Sequence, residues 1–84
     1  MQTASIPYRR TLTKQDLCRI FGLVSPSGRC YYDRLRLENF TDEVLAAIGI
    51  TPEEYRKTSR GRHFTYEQTQ RIIEHFELTR EELG

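Results

Sequence analysis

The side chains of this 84-residue chain best suited to chemistry are hydrogen-bond donors, and they fall in two short stretches. The first holds Ser27, Arg29, Tyr32, Arg34 and Arg36, with Lys14 shortly before it; the second holds Arg60, Arg62 and His63. Long cationic donors of this kind suit phosphate oxygens and the edges of bases, both of which accept hydrogen bonds. On a helix, Arg29 and Arg36 would share a face, with Tyr32 between them near the same side. Arg34 falls off that face, where it would reach a flanking phosphate.

Other chemistries lack their residues. A nucleophile needs a base and an orienting group, and no Ser/His/Asp or Cys/His arrangement has the surrounding sequence to support one. The carboxylate pairs Glu53-Glu54 and Glu81-Glu82 stand at helix starts, where capping accounts for them. There is no glycine-rich phosphate loop. Cys18 and Cys30 have no cluster of further Cys or His around them, and His63 and His75 do not supply the tight spacing of a zinc site. The expectation is two reduced, buried or half-buried thiols, no metal, no cofactor and no catalysis. No apolar run approaches the roughly 18 residues of a membrane span, and Met1 to Arg10 lacks the apolar stretch of a signal peptide. A cytoplasmic location without a membrane partner is therefore expected.

The net charge of +1 points to no partner, but its distribution does. Residues 1–36 carry seven basic side chains against Asp16 and Asp33, whereas residues 37–55 carry five acidic side chains and no base. Residues 56–64 are basic again, and the last twenty residues are acidic. If folding joins the two basic blocks, one face becomes electropositive, as in a nucleic-acid binder of near-neutral net charge.

The elements that must position these donors begin with a repeated signal. Thr13, Thr41, Thr51 and Thr65 each read as a helix N-cap. Leu12 with Leu17, Phe40 with Leu45 and Ile50 with Tyr55 supply the apolar pair that staples the chain at the first three starts. The predicted helices span 13–22, 42–48, 52–57 and 66–77, with Gly22 and Gly49 as stops. Residues 28–37 suit a helix through the Tyr31–Leu35 spacing and a strand through Cys30, Tyr31 and Tyr32; a helix is the favoured reading. Ser59-Arg60-Gly61-Arg62 reads as a tight turn followed by a short strand at His63-Phe64, which together would form a wing. Eighty-four residues allow one core. The division expected is an N-terminal arm over 1–11, a domain over 12–78 and a tail over 79–84, the tail being a frayed end or the stump of a longer chain.

Residues 16–37 (DLCRIFGLVSPSGRCYYDRLRL) resemble the helix-turn-helix of the MerR/excisionase-like regulators. Leu17, Gly22, Ser25, Arg29, Tyr31, Tyr32, Asp33 and Arg34 match its features in order. Arg62, Phe64, Thr65 and Ile72 are similar to the same family's wing and following helix. The turn before the tyrosine pair is about one residue longer than the family's spacing. Residues 38–58 form an acidic helical insertion, and the long dimerising helix of full regulators is absent.

The resemblance implies a mainly α, winged helix-turn-helix fold with about four helices and a small two-stranded wing. It also implies sequence-specific binding of double-stranded DNA, as a small transcriptional regulator or a recombination directionality factor. A lone module of this size has a small interface, so a homodimer, adjacent copies or a protein partner would be needed for specificity. The alternative, favoured by the near-neutral charge and the acidic stretch 42–54, is a protein-interaction module on the same scaffold that does not bind DNA.

Overall fold

The computed structural model of the chain describes residues 10–58 and 61–83. Six helices follow one another among these residues: α1 (Lys14–Ile20), α2 (Tyr32–Arg34), α3 (Asp42–Ile48), α4 (Pro52–Lys57), α5 (Tyr66–Phe76) and α6 (Arg80–Leu83). Between α2 and α3 the backbone widens into a π-helical turn over Leu35–Asn39. The protein is thus mainly helical, as expected, with more and shorter helices than predicted.

Threonine starts most of them. The Thr13 hydroxyl accepts the Asp16 amide at 3.1 Å while the Asp16 carboxylate accepts the Thr13 amide at 3.0 Å. The same reciprocal pairing joins Thr51 to Glu54 and Thr65 to Gln68. Thr41 caps α3 through the Val44 amide. Each box satisfies two backbone donors that the first turn would otherwise leave unpaired. The bounds of α3 and α4 coincide with those read from the sequence, and α3 stops at Gly49, whose φ of +75° only glycine adopts freely. Leu12, Leu17, Phe40, Leu45, Ile50 and Tyr55, the three stapling pairs, are all buried.

Those staples are the core itself. Leu12, Leu17, Leu35, Phe40, Leu45, Ile50, Phe64 and Ile72 are almost wholly removed from solvent. Phe40 sits at the centre of an aromatic group, with ring centroids 6.5 Å from Phe21, 5.4 Å from Phe76 and 5.3 Å from Tyr55. These rings come from every part of the chain between α1 and α5, so one core organises the helices. Leu78 and Leu83 pack against its edge.

Two expectations need correction. The helix favoured over 28–37 begins only at Tyr32. Residues 23–31 instead double back on themselves: Val24 and Cys30 form an antiparallel bridge, and the Tyr31 amide donates to the Leu23 carbonyl at 2.9 Å. Gly28, with φ +90°, makes that reversal possible. Beyond Arg34 the helix does not stay α. The Phe40 amide donates to the Leu35 carbonyl five residues back, at 2.9 Å. Residues five apart lie about 140° apart around an α-helix, so the wider turn lets Leu35 and Phe40 enter the core together.

The two-stranded wing is the second. No strand is present among the described residues; His63 forms a single antiparallel bridge, and its partner is Thr13. The Phe64 amide donates to the Leu12 carbonyl at 2.8 Å. Residues 63–64 therefore pair with the residues leading into α1, because burying Phe64 and Leu12 side by side draws their backbones together.

Candidate functional site

The approach to α2 is a polar turn built from its own backbone. Ser25 accepts the Arg29 amide on its hydroxyl at 3.0 Å, and its own amide donates to the Arg29 carbonyl at 2.9 Å. The Ser27 hydroxyl lies 2.9 Å from that of Ser25. The turn holds Arg29 exposed, with no ion pair to its guanidinium among the described residues. Because Arg29 precedes the helix, it does not share a helical face with Arg36 as the spacing suggested.

The arginines beyond it are used within the chain. Arg34 is exposed but forked onto Glu38, with its Nε 2.8 Å from one carboxylate oxygen and an Nη 3.3 Å from the other. That pairing, chiefly the hydrogen bond from Arg34, holds the Glu38 carboxyl below the usual range. Arg36 is half-buried and turns toward α3: one Nη donates to the Phe40 carbonyl at 2.8 Å and the other to Asp42 at 2.7 Å. The Arg36 guanidinium also lies over the Tyr55 ring, 5.9 Å from its centroid. It braces the corner between α2 and α3 and is not an outward-facing donor.

Lys14, expected as a surface cation, is only 8% exposed; its ammonium lies 3.9 Å from the Tyr55 ring centroid. Both residues form part of a groove of about 820 Å³. Tyr32, Asp33 and Arg36 form the α2 side of that groove, and Pro52, Glu53, Arg56 and Gly61 form the other. Lys14, Tyr32 and Arg36 are thus brought together, over an aromatic floor. Arg56 joins them without having been singled out, although it opens the second basic block and occupies the last turn of α4. Asp33 and Glu53 make the rim mixed in sign.

Across the groove from α2, the chain leaves Gly61 and exposes Arg62, which has no ion pair among the described residues. The exposed His63 ring points back instead: its Nδ1 is 2.9 Å from the Thr11 hydroxyl and 3.2 Å from the Thr11 carbonyl. Arg60 lies outside the described residues. Of the expected donors, then, Arg29 and Arg62 are exposed cations with no ion pair among the described residues.

No three His, Cys, Asp or Glu side chains cluster to hold a metal ion among the described residues, and no helix among them is long and apolar enough to cross a membrane. Comparison of the chain with protein-family models, with curated proteins and with solved structures finds no match.

Proposed function

We propose that the chain is a small helix-turn-helix DNA-binding module of MerR/excisionase-like type, acting as a transcriptional regulator or a recombination directionality factor. In this reading α1, the 23–31 turn and α2 are the helix-turn-helix, and residues 61–63 stand in the place of the wing. Arg29 and the first turn of α2 meet base edges in the major groove, while Arg62 meets neighbouring phosphates. Tyr32, at the start of α2, stacks on sugar or base.

The observation that carries the reading is that one groove joins the start of α2 to Arg56 and Gly61. Arg56 lines it, Arg62 follows Gly61 in the chain and Arg29 lies in the turn before α2; all three are exposed, with no ion pair among the described residues. Cations of that kind gain most from phosphates, since no internal partner has to be given up.

The test is an amide NMR titration of the chain with a mixed-sequence DNA duplex at low and then moderate salt. Shifts gathered at residues 27–36 and 61–63, weakening as salt rises, are expected. No shift even at low salt would overturn the reading.

A second reading, a protein-interaction module that does not bind DNA, has its own observation. Arg34 of α2 and Arg36 of the π-helical turn, the arginines that a DNA reader would use, are tied to Glu38 and Asp42. Leu37, which follows Arg36 and precedes Glu38 in the chain, stands 73% exposed. An apolar knob flanked by closed ion pairs fits a protein surface better than a phosphate backbone.

A further inference from the structure

Cys18 belongs to α1 and Cys30 to the turn before α2, yet the fold sets them side by side. The Leu23 amide donates to the Cys18 carbonyl at 2.7 Å, the Leu23 carbonyl accepts the Tyr31 amide at 2.9 Å, and Val24 faces Cys30 across an antiparallel bridge. This relay lays Cys30 against α1, close enough for its thiol to interact with that of Cys18. Cys18 is wholly buried and Cys30 half-buried, and both are free thiols. Cys18 is shielded from solvent and Cys30 is partly open to it.

We propose that Cys18 and Cys30 form a modification site, a thiol pair that small-molecule disulfides convert to an intramolecular disulfide. The thiolate of the more accessible Cys30 attacks one sulfur of the small disulfide. That S–S bond breaks, one half leaves as a thiolate and takes up a proton, and the other half stays on Cys30 as a mixed disulfide. Cys18, deprotonated in turn, attacks the Cys30 sulfur and expels the second half, which leaves as a thiol. Two protein thiols are oxidised to one disulfide, one small disulfide is reduced to two thiols, and the two protons pass to them.

The environment sets the order of the steps. Burial, and after it the neighbouring Cys30, push the Cys18 thiol up to about 11, so its thiolate is scarce near neutral pH and ring closure follows the attack by Cys30. The new bond would tie α1 to the residue beside Arg29 and stiffen the 23–31 turn. None of this depends on DNA binding, and the site can be tested without DNA.

The full chain is equilibrated with mixtures of reduced and oxidised glutathione, quenched in acid, alkylated and weighed by mass spectrometry. The expected oxidised species carries no alkyl group, is lighter than the reduced chain by two hydrogens, and yields on trypsin digestion peptide 15–19 joined to peptide 30–34. Cys18→Ser is expected to stop at the glutathione adduct on Cys30. The unsubstituted chain carries the test if that variant does not fold. The proposal is overturned if the main product keeps glutathione on Cys30 or is a chain-to-chain dimer. It is equally overturned if both thiols stay reduced at ratios that oxidise the isolated peptide 30–34.

Discussion

The Lys14 ammonium lies 3.9 Å from the centre of the Tyr55 ring. A cation over an aromatic face gains more where water is excluded, about 2 kcal/mol against half that or less at an open surface. The Lys14 stem is buried as well, so the residue belongs to the scaffold of the groove. Lys14→Ala is expected to lower the unfolding free energy by about 1–2 kcal/mol, read as a lower urea midpoint. An unchanged midpoint would return Lys14 to the solvent-facing cations.

Arg29 and Arg36 separate the two ways an arginine can matter here. Arg29→Ala should leave the urea midpoint where it is and weaken discrimination between DNA sequences. Arg36→Ala removes the donors to the Phe40 carbonyl and Asp42 and should destabilise the fold by about 1–2 kcal/mol. Arg62→Ala should weaken binding to all sequences alike and reduce its salt dependence. Duplex titrations at two salt concentrations beside urea unfolding distinguish the three; equal binding by Arg29→Ala and the parent chain would remove Arg29 from the interface.

The Tyr55 hydroxyl is buried with no hydrogen-bond partner among the described residues. Burial, and after it Cys18, push its pKa up, so it stays neutral. An orphaned buried hydroxyl costs stability, and its removal returns that cost. Tyr55→Phe is expected to raise the unfolding free energy, by on the order of 1 kcal/mol. A clear loss in thermal or urea unfolding would contradict the assignment of the hydroxyl as unpaired.

Burial raises the pKa of Asp16, but hydrogen bonds from the Thr13 amide and hydroxyl, with Arg19 beside it, outweigh that and hold the carboxyl below its ordinary 3.8. A carboxyl that is more acidic folded than unfolded stabilises the fold above its unfolded value. That contribution disappears as pH falls through the folded value. Asp16→Ala should therefore be less stable than the parent near neutral pH, by on the order of 1 kcal/mol, and the two chains should converge in strong acid. Urea midpoints measured across the acid range check this, and a constant difference would contradict it.

At Gly49 an added Cβ would stand 2.9 Å from an Arg71 guanidinium nitrogen, on a backbone with φ +75°. The arginine tip can move aside, so the backbone sets the cost. Gly49→Ala should destabilise by about 1–2 kcal/mol, measured by thermal unfolding, and a neutral result would mean that α3 can end another way.

The parts of this fold that were legible in the sequence are those whose causes are local. A threonine, an acid or amide three residues on and an apolar pair five apart decide a helix start within one turn. Thr13, Thr41, Thr51 and Thr65 accordingly cap as read. In the 23–31 reversal the composition of Ser25-Pro26-Ser27-Gly28 marks the turn. The pairing of Val24 with Cys30 was not legible, because the Tyr31–Leu35 spacing favours a helix over the same residues. The π turn answers a demand of the core, which needs both Leu35 and Phe40. Of the candidate site, Arg29 and Arg62 are exposed, but Arg29 precedes the helix expected to carry it. The internal ties of Arg34, Arg36 and Lys14 required knowledge of Glu38, Asp42 and Tyr55 as neighbours. Arg56 could have been found, since it shares its charge block with Arg60 and Arg62.

The pairing of Leu12 with Phe64 and of Thr13 with His63 also bears on how the protein assembles. Most helices here carry their own start signals and can form without distant help, but this junction joins parts of the chain some fifty residues apart. The chain entropy lost in closing such a loop grows only with the logarithm of its length, yet it falls due before the contacts that repay it exist. Substitutions at Leu12 or Phe64 should thus slow refolding more than equal losses of stability within α3 or α4.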